Sequence, residues 1–176
     1  MDTIVNPLSG EEITIEPERS GDLVWQLRLA VGGRVPSSHA HPEQEERFEI
    51  LHGRMGFRVN GRRRIATAGQ TVVVPPGTVH SFRNAGAVPV LVRVTTSPAL
   101  AMADLLSTAA AMADDQQARG DSRPGLLELA LFMREFEREV RAPYLPSVVV
   151  RVVMRTLARL ARATGRDGGY LAARSR

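Results

Sequence analysis

Residues 33–53 read GRVPSSHAHPEQEERFEILHG, and residues 69–84 read GQTVVVPPGTVHSFRN. Three of the four histidines of the chain lie in these two segments, as His39, His41 and His80. Both segments begin with a glycine and alternate turn-forming residues with short apolar runs, which is typical of antiparallel strands. The two segments therefore predict a β fold that carries a cluster of metal-binding side chains.

The chain up to residue 96 is organised in short strand-like runs. Residues 11–17 and 23–31 alternate apolar and polar residues, and similar runs recur from residue 46 to residue 96 with glycine or proline between them. Asn60-Gly61 is a strong hairpin signal, because both central positions of that turn need a positive φ. Many short strands without intervening helices predict an antiparallel sandwich or barrel.

The composition changes at Ser97-Pro98, where serine suits an N-cap and proline suits the first helical turn. We predict one helix from this point to residue 120, a second over about 124–141 and a third over about 145–164. The third begins with a β-branched run that could form a strand, but its length and its arginine spacing favour a helix. The sequence thus predicts a β domain over residues 1–96 and a helical extension over residues 97–176.

The spacing of four polar side chains predicts a metal site. His39 and His41 lie two apart, so on a strand both imidazoles point to the same side. Glu46 opens the next strand, which can pair back beside the histidines, and His80 begins a strand after a Pro-Pro-Gly turn. Three imidazoles and one carboxylate suit Mn, Fe, Co, Ni, Cu or Zn, with one or two positions left open. We therefore predict one divalent transition metal, and a buried polar cluster without metal is the alternative. The candidate ligands are His39, His41, Glu46 and His80.

Neighbouring polar residues are expected to have other roles. Glu43 and Glu45 are competing carboxylates, but Glu45 has the opposite strand parity to Phe48 and is expected to face outwards. His52, beside the Gly53 turn, is expected to be exposed. The absence of cysteine excludes a thiolate metal site, a disulfide framework and a cysteine nucleophile.

The two quoted segments resemble the two sequence motifs of the cupin superfamily. The first has the form G-x5-H-x-H-x4-E-x6-G, the second has the form G-x5-P-x-G-x2-H-x3-N, and fifteen residues separate them. The resemblance covers roughly residues 20–96. It implies a mainly β fold, an antiparallel double-sheet β-barrel of the jelly-roll kind, with the metal held by the candidate ligands and with frequent homodimers. It leaves the activity open, because cupins include dioxygenases, isomerases, epimerases, decarboxylases, sensors and storage proteins.

Strand parity also predicts what lines the interior. Arginines on the strands fall on the outward parity, so the inward face is apolar apart from the ligands and Asn84. The predicted pocket residues are Trp25, Phe48, Met55, Phe57 and Phe82. A small, largely apolar molecule that reaches the metal through one or two oxygens would fit this lining, whereas the alternative is that these side chains are only core. A phosphorylated sugar is disfavoured, because no inward arginine is evident to hold the phosphate.

These observations leave two classes of function. The first is a metal-dependent oxygenase or isomerase, in which the metal acts as a Lewis acid. The resemblance suggests that Glu46 could leave the metal and serve as a base, as its counterpart is thought to do in some cupin oxygenases. The second is a non-catalytic small-molecule-binding sensor that acts through its helical tail. No second acid–base residue stands out on the inward face.

The basic tail allows three interpretations. All 23 basic residues are arginine, and eight of them lie in residues 141–176 against one acid. The 145–164 helix could pack on the barrel or across a dimer, lie on an anionic membrane surface, or bind nucleic acid. We favour packing on the barrel or across a dimer, with the arginines in water. Nucleic-acid binding is disfavoured, because the tail is too short for paired helix-turn-helix units. A secretory signal and an apolar run long enough to span a bilayer are both missing, so we expect a cytoplasmic protein.

Overall fold

The computed structural model of the chain describes residues 3–16, 21–35, 37–121 and 124–143, together with residues 152, 155–157, 159 and 163. Within these residues the chain forms nine strands followed by two helices. The strands are β1 Thr3–Asn6, β2 Glu11–Ile15, β3 Leu23–Leu29, β4 Glu45–His52, β5 Arg54–Val59, β6 Arg62–Thr67, β7 Thr71–Val74, β8 His80–Asn84 and β9 Val90–Ser97. The helices are α1 Met102–Arg119 and α2 Leu126–Glu135.

The strands form two antiparallel sheets that face each other. The larger sheet has the order β1-β2-β3-β9-β4-β7, and the smaller one has the order β6-β5-β8. The prediction of a mainly β jelly roll with a helical C-terminal part is confirmed. Among the described strands the two sheets are not joined into one closed barrel, so the architecture is a jelly roll rather than a strict barrel.

The core lies between the sheets and follows from the period-two pattern. In β3, Trp25, Leu27 and Leu29 are buried, whereas Gln26 and Arg28 between them are exposed. Burial of each large apolar side chain contributes about 1.5–3 kcal/mol, which is why the alternation fixes the face that each strand turns inwards. The predicted outward position of the strand arginines is confirmed by their exposure.

The tight turns are made where the sequence supplies glycine. Asn60 and Gly61 have φ values of 48° and 80° and connect β5 to β6, with Val59 opposite Arg62, as the hairpin signal predicts. Gly53, between β4 and β5, has φ 83°, and a Cβ added there would lie 3.1 Å from the carbonyl oxygen of Pro89. Any other residue at Gly53 would therefore adopt a strained backbone conformation and make an unusually tight contact with the backbone of Pro89.

The two helices are shorter than predicted. The α1 helix begins at Met102 rather than at Pro98, because Ser97 is the last residue of β9 and pairs with Glu45. It ends as predicted before Gly120, which has φ 73° and bonds back to the helix through its N–H. The α2 helix ends at residue 135 instead of 141: residues 136–139 form a turn, and Arg141 pairs with Ala40.

The C-terminal part shares the core of the sheets. Met102, Leu105 and Phe136 belong to the same buried apolar cluster as the strand residues. The third predicted helix and the arginine stripe lie largely outside the described residues, so their interpretations stay predictions, as does the division at residue 96. Neither described helix is long and apolar enough to cross a membrane.

Candidate metal centre

Residues 39–43, called the histidine segment below, carry His39 and His41 and lie between two partners. On one side His39 exchanges backbone hydrogen bonds with His80, at 3.0 and 2.8 Å, and on the other side Ala40 exchanges them with Arg141, at 3.1 and 2.8 Å. The expectation that this segment pairs with the strand of Glu46 is wrong, because β4 is already paired with β7 and β9. The histidines are therefore positioned by the start of β8 and by Arg141 of the C-terminal extension.

The four candidate ligands converge at one point between the sheets. Each offers one ligand atom, and these atoms all lie within 4.8 Å of one another. Oε2 of Glu46 is 3.2 Å from Nε2 of His41 and 3.0 Å from Nε2 of His80. His41, Glu46 and His80 are buried, whereas His39 is half-buried, so His39 is the candidate ligand with the most access to solvent. This group could hold a metal ion.

Backbone carbonyls determine which ring nitrogen of each histidine faces the site. Nδ1 of His39 lies 3.1 Å from the carbonyl oxygen of Ser37, and Nδ1 of His80 lies 3.1 Å from that of Thr78. Nδ1 of His41 contacts the carbonyl oxygen of Glu139. A carbonyl only accepts, so Nδ1 carries the proton in each ring, and Nε2 is left as the metal-binding nitrogen.

The inward atoms lack partners that could satisfy them. Nε2 of His41, Nε2 of His80 and Oε2 of Glu46 are buried and have no hydrogen-bond partner of acceptable geometry. With neutral histidines, three lone-pair atoms face one another, which is unfavourable in a buried site. A cation among them would satisfy all three, so this donor set fits a transition metal.

The charges of the cluster keep Glu46 ionised and His39 neutral, whereas they favour the protonated form of His41. Burial alone would lower the pKa of His41, but the neighbouring Glu46 carboxylate outweighs it and raises that pKa. Burial would raise the pKa of Glu46, but the His41 and His80 rings, 3.2 and 3.0 Å from its Oε2, hold it far below its usual value. Burial, together with the charges of His80 and His41, lowers the pKa of His39 to about 3. At neutral pH, Glu46 is therefore ionised and His39 is neutral, as metal binding requires.

The predicted pocket residues all lie in the core. The rings of Phe48, Phe57 and Phe82 pack against one another with centroids 5.2–6.4 Å apart, and Phe48 lies 6.4 Å from the His80 ring. Trp25 is buried and donates its indole N–H to Thr96 at 3.2 Å. Met55 is fully buried. Whether these side chains also line a substrate pocket stays a prediction.

Asn84, expected on the inward face, has a structural role. Its side-chain amide donates to the carbonyl oxygens of Leu29, Ala30 and Val88, and its Oδ1 accepts from the N–H of Gly86. Asn84 therefore connects the ends of three chain segments at the opposite end of β8 from His80.

The other polar neighbours of the site are also accounted for. His52 and Glu43 are exposed, and Glu43 forms an ion pair with Arg138. Gln44 is buried and donates its side-chain amide to the carbonyl oxygens of Pro98 and Ala99, at 3.0 and 2.9 Å. The contributions of Gln44 and Glu139 are missed by the sequence, because a contact to a backbone carbonyl leaves no side-chain pattern.

Two facing antiparallel sheets with a His-His-Glu-His cluster between them define a jelly-roll protein with a candidate metal site. Residues 25–96 match the sequence model of the family described as Cupin domain. No protein of curated function matches the chain at a significant level. Residues 25–96 are therefore similar to the cupin superfamily, and the rest of the chain lies outside that match.

Several solved structures resemble this chain. The cupin domain of Cnp3 from Schizosaccharomyces pombe is 18% identical with a TM-score of 0.46, and the match covers 64% of this chain and 73% of that one. An RmlC-like cupin from Shewanella frigidimarina is 19% identical with a TM-score of 0.49, covering 56% and 85%. An oxalate decarboxylase from Lactobacillus farciminis, in a formate complex, is 21% identical with a TM-score of 0.45, covering 49% and 28%.

Proposed function

We propose that this protein binds one divalent transition metal through the four candidate ligands and uses it on a small organic molecule. The observation that carries the proposal is the set of buried, unpartnered inward atoms: Nε2 of His41, Nε2 of His80 and Oε2 of Glu46. The opposite nitrogen of each histidine ring is already committed to a carbonyl, which is the usual arrangement around a ligating histidine. Fe, Mn, Ni, Cu, Co and Zn all suit this donor set.

The chemistry we propose is that of a metal-dependent oxygenase or isomerase. When bound, the metal supplies a Lewis acid for a substrate oxygen. Glu46 supplies a negative charge that balances the charge of the metal. Because the pKa of Glu46 is low, its carboxylate is better suited to be a metal ligand than a general base, so proton transfer by Glu46 is the secondary part of the proposal. The aromatic side chains of Phe48, Phe57 and Phe82 lie next to the site, with Phe48 beside His80. This apolar surrounding favours a largely apolar molecule that enters from the side of the half-buried His39.

A second candidate function is a non-catalytic sensor. It is supported by the direct contact between the C-terminal extension and the site, since Arg141 pairs with Ala40 and the Glu139 carbonyl holds His41. A ligand that moved the histidine segment would act on the extension without any chemistry. Cupins generally bind small molecules and often form oligomers, and a homodimer is part of this proposal.

The first test is the metal content of the purified, untagged protein, compared between His80→Ala and His52→Ala. We expect about one transition metal per chain in the wild type and in His52→Ala, because His52 is exposed and is not one of the candidate ligands. His80→Ala should lose the metal, because it removes a buried ligand nitrogen. Absence of metal from the wild type, even after refilling at neutral pH, would contradict the proposal.

A second measurement separates the enzyme from the sensor. The metal-loaded protein would be incubated with candidate oxygen-bearing aromatic and aliphatic molecules, while product formation, O2 consumption and thermal stability are followed. Turnover that is absent in His80→Ala would support the enzyme. A compound that raises the melting temperature and is recovered unchanged would support the sensor.

A further inference from the structure

Residues 136–141, called the strap below, form a turn after α2 and then reach the histidine segment, where Arg141 forms an antiparallel bridge with Ala40. Arg141 pairs with Ala40 through two backbone hydrogen bonds, and the Glu139 carbonyl contacts Nδ1 of His41. Further along, the guanidinium of Arg138 binds both carboxylate oxygens of Glu43, at 2.7 and 3.2 Å. The strap therefore flanks the histidine segment on the side opposite β8.

We propose that the strap is an integral part of the metal site and that Glu139 is a positioning residue for His41. In this arrangement Glu139 fixes both the tautomer and the orientation of the His41 ring. The inference rests on the proposed function, in which His41 is a metal ligand.

The three histidines differ in how their rings are held. Each of His39 and His80 uses the carbonyl two residues before it in the chain, which belongs to Ser37 and Thr78 respectively. For His41 the equivalent carbonyl is that of His39, which already accepts from the backbone N–H of His80 at 2.8 Å. His41 is therefore held by a carbonyl from a distant part of the chain, and that carbonyl belongs to the strap.

The strap is fixed in place at several points around Glu139. The Glu139 side chain is 5% exposed, and its Oε1 accepts from the N–H of Ala101 at 3.1 Å, where α1 begins and the helix dipole favours a negative charge. Phe136 is fully buried in the shared core. The Glu139 carbonyl is thus placed by the Glu139 carboxylate, by the Phe136 ring and by the backbone pair at Arg141.

Loss of the strap would leave the histidine segment incomplete. Ala40 and His41 are 7% and 5% exposed, so the groups that the strap satisfies have little access to water. Without its acceptor, Nδ1 of His41 no longer has to carry the proton, and the ring could present the wrong nitrogen to the metal. Mutation of such outer partners typically costs 10–100-fold in metal affinity.

The test compares Glu139→Ala, Glu139→Gln and Arg134→Ala in the full-length protein. Zn²⁺ and Co²⁺ affinities would be measured by competition with a chromogenic chelator. The His41 tautomer would be measured by ¹⁵N NMR of the metal-free protein at a pH above the raised pKa of His41, where the ring is neutral. Glu139→Ala should bind metal roughly 10–100-fold more weakly and populate both tautomers. Glu139→Gln keeps an oxygen that can accept from Ala101, so it should restore both properties. Arg134→Ala is the matched control, because it removes the 3.0 Å ion pair of Arg134 with Glu137 instead of a contact to the histidine segment.

Arg138→Ala gives a second, milder measurement. It removes an exposed ion pair, so the fold should tolerate it and the metal affinity should fall by up to about fivefold. If Glu139→Ala and Arg138→Ala both match Arg134→Ala in affinity and in the His41 tautomer, the strap has no positioning role. If the wild type binds no metal, the proposed function fails, and the tautomer measurement on the metal-free protein still decides the role of Glu139.

Discussion

The β-sheets and the C-terminal extension contribute to the same centre in different ways. The sheet region and its loops provide all four candidate ligands, and the inward direction of Glu46 follows from strand parity. The extension provides a carbonyl, a backbone pair and an ion pair, all directed at residues 40–43. The difference shows that the identity of a ligand can be read locally, whereas its orientation depends on a part of the chain that carries no metal-site motif.

The two regions also differ in how they are packed. The central strands β3 and β9 bury every second residue along their length, so their core contribution is continuous. The described part of the extension enters the same buried cluster mainly through Met102, Leu105 and Phe136, and its contacts with the histidine segment are polar. We therefore expect its stability to depend on few apolar contacts and its influence on the site to depend on polar ones.

The largest expected effect is on the free energy of unfolding, and it shows whether the extension folds together with the sheets. Phe136→Ala should lower the free energy of unfolding by about 3–5 kcal/mol, because Phe136 is fully buried in the shared core. Leu126→Ala is the control: Leu126 is 63% exposed, and its effect should stay within about 0.5 kcal/mol. Urea unfolding followed by both Trp25 fluorescence and circular dichroism would show one transition. Two separate transitions would mean that the extension is an independent unit.

An intermediate effect is the pH dependence of stability and metal binding, which depends on His41 and Glu46. The pKa of His41 is raised above 6.5, so its protonated form stabilises the metal-free protein below that pH, and this contribution is lost as the pH rises through the raised value. The pKa of Glu46 is lowered, so its contribution is lost only when the pH falls well below 4.5. A bound metal requires His41 without its second proton, and at 100 times the dissociation constant it stabilises the fold by about 2.7 kcal/mol.

The melting temperature should therefore rise more on metal addition at about pH 8 than at about pH 6, since His41 is the competing proton site. Differential scanning calorimetry at a fixed total metal concentration would measure this, with His80→Ala as the control for metal bound elsewhere. An equal rise at both pH values would contradict the assignment of His41 as a ligand.

The smallest effect compares a buried carboxylate of the sheets, Glu11, with its more exposed neighbour Glu12. Burial raises the pKa of Glu11, opposed by the 2.6 Å hydrogen bond from Ser9. The protonated form is therefore stabilising below the unfolded value of about 4.5, and this contribution is lost as the pH rises through the raised value. Glu11→Gln should gain stability over the wild type as the pH rises to about 8. Glu12→Gln, which removes an exposed ion pair with Arg28, should show little change in thermal melts at either pH.

The sequence predicts the sheets and the residues that converge at the candidate site well, but not how the site is assembled. Alternation predicts the buried face of β3, and Asn60-Gly61 predicts the hairpin, because both signals depend on neighbouring residues. The motif spacing brings together the residues that converge in the structure. The partner of the histidine segment is wrongly predicted, because hydrogen bonds between backbones leave no trace in side-chain patterns. The bridge between Arg141 and Ala40, beyond the turn that follows α2, is missed for the same reason.

The position of the strap in the chain has a consequence for biosynthesis. The ribosome makes the histidine segment, Glu46 and His80 well before it makes Glu139, and the N-terminal parts of a chain begin to fold first. A nascent chain that ends before residue 139 would present His41 with a free Nδ1 and an unfixed ring. Only a chain that has emerged as far as Arg141 would hold the metal with the His41 ring fixed. An ion captured earlier during translation would therefore be held less tightly and could still be exchanged.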